Sequence, residues 1–154
     1  MRQLGILAMA VLLTAATDLD APMQSVDGPR AAVDQLFLGM HMGSESIVRE
    51  VLAPDVRFAV LSDEGAIQAQ SLDGWVRAVG ASQGAWDEQI YDVDVRVDGT
   101  VASVWAPYTF YLAGRLSHCG VNSIELLRGA DGWKITQVSD SRRSEGCPDP
   151  LARP

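Results

Sequence analysis

The feature that most constrains this chain is its C-terminal third, residues 101–143. Three long apolar-rich runs, VASVWAPYTFYLAG, RLSHCGVNSIELLRG and ADGWKITQVSDSRR, follow one another there with glycine-bearing breaks between them. Runs of this kind pair with their neighbours in sequence and predict a twisted antiparallel meander. Asp98-Gly99 ahead of the first run is a strong two-residue hairpin signal. Ala113-Gly114 serves as the next turn and Ala130-Asp131-Gly132 as the last. The same third carries most of the side chains able to do chemistry: Tyr108, Tyr111, His118, Asn122, Asp140 and Arg142.

Upstream the periodicity changes. Ala32, Val33, Leu36, Phe37 and Met40 recur at three and four residues, as on one face of a helix, with Pro29 suited to its first turn and Gly43 to its end. Ser44 is an N-cap candidate for a second, short helix that buries Ile47, Val48, Val51 and Leu52 and stops at Pro54. Residues 56–61 read as a strand and 66–70 as its hairpin mate. Ser71 or Asp73 can cap a third helix over 72–81, with Trp75, Val76 and Val79 inward, and 80–84 is a flexible break. In 90–97, Tyr91, Val93, Val95 and Val97 alternate with Asp92, Asp94 and Arg96, the pattern of a half-buried antiparallel strand. The order predicts an α+β cone, a curved antiparallel sheet of about six strands wrapped around three N-terminal helices.

With 154 residues, the chain is long enough for one domain with a real core and too short for two. Its net charge of −8 repels nucleic-acid phosphates and anionic membrane, so neither is an expected partner. Residues 1–21 stand apart. A positively charged start, Met1-Arg2-Gln3, precedes a thirteen-residue apolar run over 4–16 that ends in small residues before Asp18 and Asp20. This is the layout of a signal peptide, cleaved after Ala16 or Ala21, and the run is too short to span a bilayer, which takes about 20 residues. The expected organisation is a signal peptide over 1–21, a linker over 22–29, the domain over 30–143 and a tail over 144–154, in an exported protein whose mature form has no membrane span.

Export changes how Cys119 and Cys147 read. In an oxidising compartment two cysteines form a disulfide more often than two free thiols, and this one ties the tail to the strand holding His118. A thiol nucleophile beside His118 is the weaker alternative, because adjacent strand residues point to opposite faces. Two cysteines and the distant His41 and His118 lack zinc spacing, and neither a metal nor a cofactor is expected.

The element order resembles that of the nuclear transport factor 2-like superfamily, also called SnoaL-like or ketosteroid-isomerase-like. Leu52-Ala53-Pro54-Asp55-Val56-Arg57-Phe58 resembles that family's approach to its first strand. Asp98-Gly99-Thr100-Val101-Ala102 is similar to its hairpin before a long strand, and Asp131-Gly132-Trp133-Lys134-Ile135 to its last turn and strand. These motifs cover the span 30–143 and are structural, so they speak to fold more than to chemistry. The resemblance implies the cone, a pocket for a small apolar molecule and a homodimer. For some relatives it implies isomerase, cyclase or dehydratase activity built on Asp, His and Tyr. Others are binding or assembly modules.

His118 is the candidate general base, with Asp140 to orient it or to act as the base itself. Tyr108 or Asn122 can donate to a developing oxyanion, and Arg142 can grip a substrate carboxylate. Tyr108, Phe110, Trp75, Trp105 and Met40 are read as pocket lining. The plainer alternatives stay open: a core histidine bonded to a neighbour, and an Asp140–Arg142 ion pair at a strand end. A turn at Ala113-Gly114 sets His118 opposite Thr109 and Asn122 opposite Trp105, and a slip of one residue exchanges the faces. The alternation in 90–97 favours Ala102, Val104, Ala106, Tyr108 and Phe110 as the covered side of the next strand. Trp133 and Ile135 point to partial burial of the other face as well.

Overall fold

The structure, a computed structural model, describes residues 25–61 and 65–148. The expected signal peptide, its cleavage site, most of the linker and the end of the tail lie outside the described residues. Three helices come first: α1 (Asp27–His41), α2 (Glu45–Val51) and, after the hairpin of β1 (Leu52–Leu61) and β2 (Ile67–Gln70), α3 (Leu72–Ser82). Then follow β3 (Trp86–Ile90), β4 (Asp94–Asp98), β5 (Val101–Leu112), β6 (Arg115–Gly129) and β7 (Gly132–Asp140).

The helix starts follow from their caps. Ser44 accepts from the Ile47 N–H and Ser71 from the Gly74 N–H, each satisfying one of the donors that a helix N-terminus leaves unpaired. Helix α1 begins at Asp27, inside the expected linker. Its Pro29 lies in the first turn, where a missing N–H costs nothing.

The seven strands form one open sheet in the order β2-β1-β7-β6-β5-β3, with β4 also paired to β5. Two features depart from the sequence expectation. The run expected as a single strand over 90–97 is two strands: β3 pairs with the far half of β5 and β4 with its near half. Asp92, at a φ of 48°, turns the chain between them. The sheet is also not wholly antiparallel, because β1 lies parallel to β7.

Two bulges set which side chains face the helices. In β6, Ser117 is skipped, so His118 lies opposite Phe110 and Asn122 opposite Ala106, one residue from the register expected from the turn alone. In β7, Thr136 is skipped, so Leu126 meets Ile135 while Ile124 meets Val138. Ile135 is therefore fully buried in the core beneath the helices, and the Trp133 ring packs against Gly28 of α1, where an added Cβ would stand 2.7 Å away. The burial of these two residues, expected on the other face, is accounted for by the chain's own first helix. The core itself joins Val33 and Leu36 of α1, Val48 of α2 and Val76 and Val79 of α3 to Ala102, Val104, Ile124 and Leu126 of the sheet.

Candidate functional site

Toward one end of the sheet the core gives way to a half-open cavity of about 290 Å³. Leu36, Phe37 and Met40 of α1 and Trp75 of α3 line it from the helices, and Phe58 stacks on Trp75 with ring centres 4.6 Å apart. The sheet contributes a row across three strands. Glu88 pairs with Phe110 and Phe110 with His118, so all three side chains share the concave face. Phe110 stacks on the His118 imidazole at 4.8 Å and meets Trp86 edge-on at 6.2 Å.

The polar members form two short chains of hydrogen bonds. Asn122, nearly fully buried, donates through Nδ2 to Oε1 of Glu88 at 2.6 Å. The Tyr108 hydroxyl donates to the carbonyl of Ser141 at 2.9 Å and, less closely, to Oδ2 of Asp140 at 3.3 Å. Arg142 Nε donates to the same Asp140 oxygen at 2.6 Å. A glycine makes this possible. A Cβ on Gly120, opposite Tyr108, would lie 1.8 Å from the Ser141 oxygen. The carbonyl that receives the tyrosine proton thus occupies the room a side chain would need.

Beyond Asp140 the chain is tied down from outside. Arg143 and Cys119 exchange backbone hydrogen bonds at 2.9 Å in both directions, and Cys119 is bonded to Cys147 with Cα atoms 5.5 Å apart. Thr109, fully buried, donates to the carbonyl of Pro148. The tail therefore packs on the face away from His118, and Arg142, held between Asp140 and this anchor, lines the cavity.

The electrostatics single out Glu88. Burial pushes its carboxyl up to about 7, and the nearby Asp140 charge adds to this. The Asn122 hydrogen bond and Arg142 pull the other way. Glu88 is half-buried and lines the cavity. His118 is held below its ordinary value by burial and by Arg142, with Asp140 opposing, which leaves it neutral near pH 7. Its Nδ1 lies 3.0 Å from the Ser117 hydroxyl. Burial, and then the charges of Asp140 and Glu88, raise the Tyr108 phenol well above its usual range, so it stays protonated.

Of the residues expected at a site, Tyr108, Phe110, Trp75, Met40, His118, Asn122, Asp140 and Arg142 line this cavity. Trp105 does not. It alternates with the inward Val104 and Ala106, lies on the outer face and is 55% exposed. Asp140, expected to orient His118 or act as base, is bound to Arg142 and Tyr108 instead, the plainer of its two readings. Glu88 was missed. In WDEQI a carboxylate stands between Trp86 and Ile90 on a two-residue period, a charge on an apolar face, and that was the available signal. Among the described residues, no cluster of three or more His, Cys, Asp or Glu can hold a metal ion. Among them, too, no helix is long and apolar enough to cross a membrane.

No protein-family description matches this sequence, and no curated protein does. Solved structures match the fold. An NTF2-like protein from Cytophaga hutchinsonii superposes with a TM-score of 0.64 at 13% identity, over 79% of this chain and 100% of the other. A Streptomyces avermitilis protein, provisionally named a dehydratase of the NTF2-like family, gives 0.61 at 17% identity over 77% and 95%. One from Shewanella frigidimarina, provisionally named a ketosteroid isomerase, gives 0.58 at 23% identity over 77% and 96%. The chain has the nuclear transport factor 2-like cone fold, with three helices held in an open, mostly antiparallel sheet.

Proposed function

We propose that the cavity binds a small, largely apolar molecule bearing one polar group, and that the protein does this after export. One observation carries the reading: a single cavity wall combines the rings of Phe58, Trp75, Trp86 and Phe110 with the linked polar groups of Glu88, Asn122, Asp140 and Arg142. A volume of 290 Å³ lies at the small end of ligand pockets, which run from roughly 300 to 1,000 Å³ and are mostly apolar with a few placed polar groups. It suits a one-ring compound with short substituents. The bonded cysteine pair fits an oxidising, exported setting. Pairing of two copies belongs to the same proposal. Ligand-observed NMR with a set of small aromatic and alicyclic compounds tests the pocket, with Ala59→Phe, which narrows the cavity, as control. Binding to the native protein and loss in the folded variant is the expected outcome. Equal binding to both, or none to either, removes the reading.

A second reading, proton transfer on the bound molecule as in an isomerase, cyclase or dehydratase, is favoured by Glu88. A carboxyl poised near neutrality is suited to take or give a proton at physiological pH. Neutral His118 lines the same cavity and supplies a second proton acceptor. Asp140, held by Arg142, serves to fix that arginine. Deuterium exchange from solvent into the α-positions of small cyclic ketones tests this. Catalysed exchange is expected in the native protein and absent in Glu88→Gln. Identical rates in the two would discard the reading.

A further inference from the structure

We propose that the ligand's polar group is a protonated amine, held by Oε2 of Glu88 in the cavity that Trp86, Phe110 and His118 also line. This rests on the small-molecule reading above and assigns its chemical class.

The argument is a balance of charge inside the cavity. The titratable or charged groups that face Glu88 are Asp140, Arg142, His118 and Tyr108. Helices α1 and α3 and strands β1 and β2 bring only uncharged side chains to the wall. Asp140 and Arg142 are bonded to each other and cancel. His118 is neutral near pH 7, and the Tyr108 phenol keeps its proton. Glu88 remains as the uncompensated carboxylate.

Its two oxygens differ. Oε1 accepts from Asn122, while Oε2 makes no hydrogen bond among the described residues. No buried side-chain oxygen or nitrogen there lacks a partner, so Oε2 is in contact with open space, and the space beside Glu88 is the cavity. An ammonium group there gains a charge-assisted hydrogen bond from Glu88 in a wall that Trp86, Phe110 and His118 also line, where a low dielectric strengthens the pairing. A carboxylate ligand at the same place meets Glu88 and can reach only an arginine whose Nε is already engaged.

The sign of the pH dependence follows. Above about 7 the carboxyl is ionised and holds the cation. Below it the carboxyl is protonated, and the cation loses its counter-charge. Binding an amine at neutral pH therefore expels a proton from Glu88.

The test uses three probes that share a phenylethyl group on the native protein, 2-phenylethylamine, 2-phenylethanol and 3-phenylpropionate, titrated calorimetrically near pH 8 and near pH 6. At the higher pH the amine is expected to bind about tenfold more tightly than the alcohol, the worth of one charge-assisted hydrogen bond. The amine's preference over the alcohol is expected to vanish at the lower pH and in folded Glu88→Gln. Titrations near pH 7 in buffers of different ionisation enthalpy should show proton release for the amine alone. Equal affinity of amine and alcohol at the higher pH, or tightest binding by the carboxylate, overturns the amine assignment while leaving the pocket reading intact. Failure of all three to bind folded protein overturns both.

Discussion

The two ends of the sheet are built from the same strands and do opposite things. At the closed end, β5 offers Ala102 and Val104, β6 offers Ile124 and Leu126, and β7 offers Ile135, all buried against the helices. Farther along the same strands, the inward positions become Tyr108 and Phe110, His118 and Asn122, and Asp140, and the packing opens into the cavity. Alternation carries through β5 and β6 and is reset once in β7, at the Thr136 bulge, so the change is mainly one of side-chain size and chemistry. Close packing of aliphatic groups yields stability at one end. At the other, large rings span the width without filling it, and each polar group is held by another. Polar groups kept in a half-buried wall at a cost to stability are what a site looks like.

This contrast can be broken by substitution. The largest effect is expected at the closed end. Ile124→Ala removes a fully buried side chain and should cost about 2–5 kcal/mol by chemical denaturation. His118→Ala at the open end should cost only about 1 kcal/mol, mainly its stacking on Phe110. Comparable losses would erase the distinction.

Replacing Cys119 and Cys147 with alanine and serine opens a loop closed over 28 residues, which should cost about 3.5 kcal/mol. It should also loosen Arg142, read as weaker ligand binding in the variant even where it is fully folded.

Glu88→Gln should act in the opposite direction. A carboxyl that titrates near 7 when folded and 4.5 when unfolded binds more protons in the folded state, so its contribution to stability falls as pH rises between those values. Ionising it costs up to about 3 kcal/mol above pH 7, and the glutamine, which still accepts from Asn122, avoids that cost. The variant should therefore match the native protein near pH 4 and exceed it near pH 8, by thermal or urea unfolding. A variant less stable at both would show Glu88 to be structural.

The smallest effect is a titration. Asn122→Leu removes the hydrogen bond that favours the charged form, so Glu88 should titrate above its native value, followed by carboxyl carbon NMR.

Much of this architecture is written locally and was legible. Ser44 and Ser71 announce helix starts, and Asp98-Gly99, Ala113-Gly114 and Asp131-Gly132 announce turns, because each signal acts within a few residues. The inward set Ala102, Val104, Ala106 and Tyr108 follows from alternation alone. What was not legible depends on distant partners. Nothing in residues 52–61 says that their neighbour is β7 or that the pairing is parallel. The bulges at Ser117 and Thr136 carry no glycine or proline to mark them, yet they decide where His118 and Ile135 point. Trp105 reads as core by type and lies outside by register. Glu88 acquires its character only when Asn122 and Asp140 are brought to it from β6 and β7.

The parallel pairing of β1 with β7 also has a temporal meaning. Phe58 meets Val138, partners eighty residues apart, whereas β5, β6 and β7 join through turns of two residues. Closing a long loop takes conformational entropy that local hairpins do not, so the hairpins are expected to form first and the β1–β2 arm to dock last. The cavity wall supplied by Phe58 and Trp75 would then be absent until the final step of folding. High φ-values in β5 and β6 with low ones at Val56 and Phe58 are the expected pattern. The reverse would place the nucleus in the helical half.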